Sequence, residues 1–501
     1  MFIRLLLMIL ALCFSHTAAY ASWVEARSEN FIFQGDTSEK KAALIIQELE
    51  DYRSVLFKAL NLNGGAPEVV PVQIYGVKGS VIKKISGIPN IAGYYSTTRE
   101  GPILVINING SFSKNSQARA IAYHEYTHHL ISTYSDLVYP RWYNEGYADY
   151  LSTFQRDKKG VVKIGLPNEG RIRALAHAES RGSWLDMTTL TQSIRNYPWG
   201  IKKSLKNTAT QSQFYAQSWL AVQYMVSTEK YANKVKDYLT ALNQENPPEN
   251  IFETTFGISP DDFGELLKDY YKRGKYEGLA IKLAETDRSY DIKTRKLTKG
   301  ESEFYHGEAI RRFPSVKESP EISEDYYERA IKAGYPAAQV QASRALIAIN
   351  NKEEDKAIDY LNQALAKSAD DSRILQIAGN IYLSQYKNKE TPSHIEQIKK
   401  SRDFLKQAMR ANPHNMQAHY DYVSTYGAAN DRASGQAVYS AGECAYYYKG
   451  NNFIDSNLIL AEVLLKNDRF EDAKPMLEKA AIWSLSNDIR AHAKQILNRP
   501  R

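Results

Sequence analysis

The second half of the chain repeats itself, and the repeat limits the folds open to it. Tyr326-Tyr327-Glu328-Arg329-Ala330 returns 34 residues later as Tyr360-Leu361-Asn362-Gln363-Ala364. Phe404-Leu405-Lys406-Gln407-Ala408 follows after 44, with a polar insertion around Lys387 to Ser393. Met476-Leu477-Glu478-Lys479-Ala480 follows after 72, two steps of 36, with Cys444 at the alanine position midway. Small residues recur seven positions earlier, at Ala357, Ser401, Ala437 and Ala473, and Pro413 stands where a helix must end. A period near 34 with small residues at fixed places predicts paired helices that approach closely and stack, each pair burying its apolar face on the next. The rival arrangement is an irregular helical bundle.

The first half lacks this period. Ser38 to Leu62 carries Leu44, Ile45, Leu49, Tyr52, Leu56 and Leu60 at helical spacing and stops at Asn63-Gly64-Gly65. Val69–Tyr75, Gly93–Thr97 and Ile103–Ile108 read as strands, the last two joined by a turn at Arg99 to Pro102. Helical patterns follow, through a helix from Pro260 to Arg273. The expectation is an α+β domain with a small sheet, then an all-α domain. Arg288 to Gly300 is polar and non-periodic, which suits a linker or an edge strand, and the border is placed near residue 295.

The first 21 residues set an expectation about compartment. Arg4 precedes an apolar run from Leu5 to Phe14, and Ala19 and Ala21 form an A-x-A cleavage pattern. The run is short of the ~20 residues that span a bilayer. This reads as a signal peptide over 1–21, and the protein as a bacterial export, periplasmic or secreted, with no stable membrane span after cleavage. Of the two cysteines, Cys13 leaves with the signal and Cys444 sits in an apolar helical context, so no internal disulfide forms. A net charge of +7 over 501 residues gives no reason to expect nucleic acid.

Histidine is scarce, 10 in all, yet three fall within six residues. His124-Glu125-Tyr126-Thr127-His128 is H-E-x-x-H, preceded by the good helix former Ser116 to Tyr123 with Asn115 or Ser116 as cap. Residues four apart share a helix face, so His124 and His128 can direct imidazole nitrogens at one zinc ion. Glu125 lies one step round, where a general base can take a proton from a water on the ion. A catalytic zinc site needs a third protein ligand. Glu145, on a second helix begun by Pro140, meets that need, and Asp149 four residues on shares its face and can orient a ligand histidine. Trp142, Tyr143, Tyr147, Tyr150 and Leu151 crowd these acids, and buried carboxylates require a metal or a partner.

H-E-Y-T-H followed by N-E-G-Y-A-D resembles the gluzincin metallopeptidases, the class of thermolysin and the large zinc aminopeptidases. The phrase P-R-W-Y-N-E-G-Y-A-D-Y resembles the bacterial peptidase-MA-like exported proteins, which pair such a domain with tetratricopeptide repeats. The later recurrences resemble those repeats. The specific motifs cover residues 121–151, the looser likeness roughly 23–275, and no segment matches the G-A-M-E-N of zinc aminopeptidases. The resemblance implies a thermolysin-like (gluzincin) α+β domain over 22–295 and a tetratricopeptide-like helical domain over 296–501. It implies one Zn2+ per chain on His124, His128 and Glu145, Glu125 as catalytic base, and Asp149 behind a ligand. By resemblance to aminopeptidase-like members, Tyr215 is the candidate donor to the oxyanion, with His129 and His177 as lesser alternatives.

The expected function is hydrolysis of peptide bonds in a peptide or protein substrate, the repeats offering a surface to a protein partner. One alternative is an envelope binding scaffold with an inactive peptidase-like domain; an intact Glu125 argues against it, since a structural zinc site needs no base. Another is a zinc hydrolase of non-peptide amides. Gly93–Thr97 is either an internal strand or a sheet edge on which an extended peptide can dock.

Overall fold

The computed structural model describes residues 23–499 apart from short internal segments, the longest being 60–69 and 193–207. The expected signal peptide, the Asn63-Gly64-Gly65 stop and much of the Lys387–Ser393 insertion lie outside the described residues.

The chain opens with β1 (Val24–Arg27) and β2 (Phe31–Gly35), then α1 (Glu39–Ala59), β3 (Val72–Val77), α2 (Gly79–Ser86), β4 (Gly93–Thr98) and β5 (Gly101–Asn107). Two helices follow, α3 (Gln117–Tyr134) and α4 (Arg141–Leu151). β6 (Gln155–Arg156) and β7 (Val161–Ile164) lead into α5 (Glu169–Ser180), α6 (Met187–Gln192), α7 (Thr208–Ser227), α8 (Glu229–Ala232), α9 (Val235–Leu242), α10 (Ile251–Phe256) and α11 (Pro260–Arg273). β8 (Leu279–Lys282) and β9 (Lys293–Lys296) complete the strands.

Six strands form one sheet in the order β4-β5-β3-β2-β1-β9. β2, β3 and β5 run parallel, while β4, β1 and β9 are each antiparallel to a neighbour. β6, β7 and β8 form a second, smaller sheet. One strand start departs from the sequence reading, and one open reading is decided. The strand expected from Val69 starts at Val72, because Pro71 has no N–H for the ladder and Val72 N–H is the first to bond, to the Asn30 carbonyl at 2.9 Å. Of the two readings of Arg288 to Gly300, the edge strand holds: it contains β9, an all-polar strand at the end of the sheet, kept there by pairing with β1 rather than by any apolar alternation.

One face of the sheet packs on α1 and α3 through Phe31, Phe33, Ile74, Leu104, Ile106, Leu49, Tyr52, Ala122 and Tyr126. The other face carries Tyr75, Val77, Ile103 and Val105, which pack with Trp23, Leu297 and Ala309. Ala309 belongs to α12 (Lys299–Arg311), the first helix of the second half. The sheet is thus a middle layer between the helices of the first half and the start of the second.

From α12 onward the chain is helical: α13 (Ser319–Lys332), α14 (Ala337–Asn350), α15 (Glu354–Leu365), α16 (Ser372–Lys387), α17 (His394–Ala411), α18 (Met416–Ala429), α19 (Gly435–Tyr447), α20 (Ile454–Leu465), α21 (Phe470–Trp483) and α22 (Asn487–Leu497). Successive helices pair, and the recurrent small residues mark where they touch: Ala357, Ala364, Ser401, Ala408, Ala437, Cys444, Ala473 and Ala480 are fully buried. A Cβ on Gly379 of α16 would strike Leu405 of α17, with Leu405 Cδ2 only 2.7 Å away. Among the described residues no helix is long and apolar enough to cross a membrane.

Candidate metal centre

The centre is built where α3 meets α4. Ser116 caps α3 by accepting from Arg119 N–H at 3.3 Å. Arg119, held by Glu48 and the Tyr123 hydroxyl, and Thr127, bonded to the Tyr52 hydroxyl at 2.6 Å, fix the helix on α1. Those anchors occupy the faces of α3 away from His124 and His128. Pro140 starts α4, and Val138 in the connector is gripped by Asn243, whose Oδ1 accepts its N–H at 2.9 Å and whose Nδ2 donates to its carbonyl at 3.0 Å.

His124, His128 and Glu145 come together, one ligand atom from each lying within 4.8 Å of the others. Glu145 Oε2 is 3.3 Å from both Nε2 atoms, which are 3.1 Å apart. Each imidazole is steadied at its other nitrogen. His124 Nδ1 meets Asp149 Oδ1 at 3.1 Å, and His128 Nδ1 meets Asn144 Oδ1 at 3.2 Å. Both pairings leave Nε2 free to face the shared point, the usual way outer partners orient ligand histidines.

Asp149 is in turn clamped by Arg171 of α5, Nε to Oδ2 at 2.7 Å and Nη2 to Oδ1 at 3.0 Å. The Arg171 guanidinium lies 5.0 Å from the centre of the Tyr215 ring on α7, and this brings Tyr215 to the periphery of the centre. His129 turns inward instead: it is buried, stacks on Tyr126 and meets the Tyr95 hydroxyl at 2.8 Å through Nδ1. His177 is exposed on α5.

Glu125 sits one step round α3 and accepts the Tyr95 N–H at 3.1 Å through Oε2. Tyr95 belongs to β4, which ends the sheet, so β4 is an edge and runs beside the centre. Close packing behind the acid on α4 depends on Gly146. A Cβ there would land on the Ser218 carbonyl oxygen of α7, and 2.9 Å from Val222 Cγ2. The N-E-G-Y-A-D segment therefore supplies an amide on His128, a candidate ligand, a contact glycine and a carboxylate on His124 in turn.

The two glutamates are driven in opposite directions. Burial, with the Glu145 charge, raises the Glu125 pKa against the pull of His124 and His128. Burial also opposes ionisation of Glu145, but both histidines outweigh it and hold its carboxyl well below the usual range. For His124, burial disfavours the cation, yet Asp149, Glu145 and Glu125 outweigh it and push the pKa up to about 10. Asp149 is likewise held low against burial by Arg171 and His124.

Neither Asn144 nor Arg171 is singled out by the sequence reading. Asn144 had a local signal, since it adjoins Glu145 on the same helix. Arg171 had none, because it enters from a separate helix at a spacing that no motif fixes.

No family model and no curated protein matches the chain. Among solved structures, a thermophilic TPR protein of Thermus thermophilus is similar at 16% identity, covering 40% of this chain and 98% of that one with a TM-score of 0.31. A likeness at that score carries no argument about this chain.

Proposed function

We propose that the chain is an exported zinc peptidase of the gluzincin kind, with its helical array a tetratricopeptide-like surface for a protein partner. The observation that supports this most is the convergence of His124, His128 and Glu145, with a second glutamate, Glu125, one step round α3 and bonded to the Tyr95 N–H. Two imidazoles and one carboxylate suit Zn2+, and three protein ligands leave a coordination position open. Asp149 and Asn144 already hold the imidazoles in the orientation such an ion requires.

A zinc ion held there would supply Lewis-acid chemistry, polarising a carbonyl and acidifying water. The protein's own part follows from its geometry. Glu125, placed one step round the helix from His124, would take a proton from the attacking water and deliver it to the leaving amine. Tyr215 is the proposed donor to the oxyanion, positioned through Arg171. The outer edge of β4 offers backbone groups along which an extended peptide can lie, setting its scissile bond beside Glu125.

The test is metal analysis of residues 22–501 with a peptide-library cleavage assay, wild type against Glu125→Gln. One zinc per chain in both proteins, with cleavage by wild type alone, is the expected result. Folded protein that binds no zinc would overturn the site assignment. A zinc-loaded Glu125→Gln protein that keeps its biological role would favour the scaffold reading.

A further inference from the structure

The β4–β5 turn is gripped from the helical array. Arg311, at the end of α12, donates to Glu100 through both terminal nitrogens, Nη1 to Oε1 at 2.8 Å and Nη2 to Oε2 at 2.6 Å. Arg312 Nη2 donates to the Gly101 carbonyl at 3.0 Å. The Arg311 side chain is only 8% exposed, and Glu308 fixes its plane with contacts of 3.0 and 2.7 Å. Glu308 also accepts from Tyr327 of α13 at 2.6 Å, Ser343 of α14 at 2.7 Å and Arg373 of α16 at 3.3 Å. Four helices of the array therefore meet at one carboxylate, a single side chain away from the turn.

β4 carries that grip to the metal centre. Tyr94 packs against Ile310 of the array, as Tyr326 does. The next residue, Tyr95, faces the other way and bonds Glu125 and His129 of α3. An edge strand is paired along one side only, so its placement depends on what else holds it. Here the second support comes from the array.

We propose that the helical array is a wall of the centre, with Arg311 and Glu100 as the positioning pair through which it holds β4 against α3. The catalytic consequence rests on the peptidase reading; the mechanical claim rests on the contacts alone. The array is then more than a recruiting surface, because losing its grip would free the strand that bonds Glu125.

The test uses the full chain as wild type, Glu100→Gln, and Glu100→Gln/Arg311→Met, in which Glu308 keeps Arg373. Hydrogen–deuterium exchange is followed over 93–107 and 117–134, with zinc content and kcat and KM on a peptide substrate. The expected result is at least tenfold faster exchange in 93–98, unchanged exchange in 117–134, full zinc content, and kcat/KM at least tenfold lower. Unchanged exchange in 93–98 would overturn the proposal, as would equal acceleration in both segments, which marks general loosening. Should the double variant fail to fold, the near-isosteric Glu100→Gln decides. A wild type without zinc or cleavage would sink the peptidase reading, and the exchange measurement would still decide the clamp.

Discussion

Asp149 meets His124 with one oxygen and an arginine with both, and this sharing makes it the most consequential side chain behind the candidate centre. It is 3% exposed, so its charge depends on its partners, Arg171 first and then His124. Removing one partner of a buried pair costs about 3–5 kcal/mol, because the other charge is left uncompensated. Arg171→Met is therefore expected to lower stability by about that much in urea unfolding. Arg171→Met/Asp149→Asn removes both charges and should recover most of the loss. The double variant should still bind zinc about 10- to 100-fold more weakly by chelator competition, since an amide orients His124 less firmly than a carboxylate. Equal zinc affinity in the double variant would show that Asp149 is only a packing residue.

Helices decide how closely these side chains can meet. α4 must lie against α7 with nothing between the Gly146 backbone and the Ser218 carbonyl. Gly146→Ala gains up to about 1 kcal/mol of helix propensity. A backbone carbonyl cannot rotate away as a side chain can, and overpacking of this sort costs about 1–3 kcal/mol. The net expectation is a loss of about 1–2 kcal/mol, with weaker zinc binding as Glu145 is displaced with its helix. Gly264→Ala in α11 is the control, because its Cβ would meet only the flexible Met187 side chain at 3.1 Å. It should be neutral or slightly stabilising, and matching losses at both positions would refute the contact argument.

The same scale explains what could be read from the residues alone. His124, His128, Glu145 and Asp149 share helices, and helical periodicity fixes such neighbours at a spacing visible in the chain. The recurrent alanines were legible for a like reason: each reports one close helix contact. β1 and β2 were not, because strands of four and five residues with polar members offer too little alternation. β9 was open to two readings, since all four of its residues are exposed and polar and only pairing with β1 makes it a strand. Tyr95 and Arg171 reach the centre across tertiary contacts that no local pattern encodes.

At the scale of the whole molecule, the sheet and the array meet around His306 of α12. Its ring lies 3.9 Å from that of Trp23, beside β1, and 5.0 Å from that of Tyr326 on α13. Nδ1 donates to the Ser302 carbonyl at 3.2 Å. The charged groups that act on it are Asp36 and Lys78 from the sheet side and Arg329 from α13. Burial dominates and lowers its pKa from 6.5 to about 4. An unfolded chain takes up this proton near pH 6.5, whereas the folded chain resists it down to about pH 4. The unfolded state therefore binds more protons across that window, and stability falls as pH drops from 6.5 toward 4. Above pH 6.5 the group is neutral in both states and contributes no pH dependence. The shift corresponds to a ceiling of about 3 kcal/mol. His306→Phe keeps a ring between Trp23 and Tyr326 without a titrating nitrogen. Urea unfolding of both proteins at pH 7.5 and 4.5 should show wild type losing about 2–3 kcal/mol more than the variant. Parallel losses would mean that His306 takes up its proton as readily folded as unfolded, and that the junction between sheet and array is open to water.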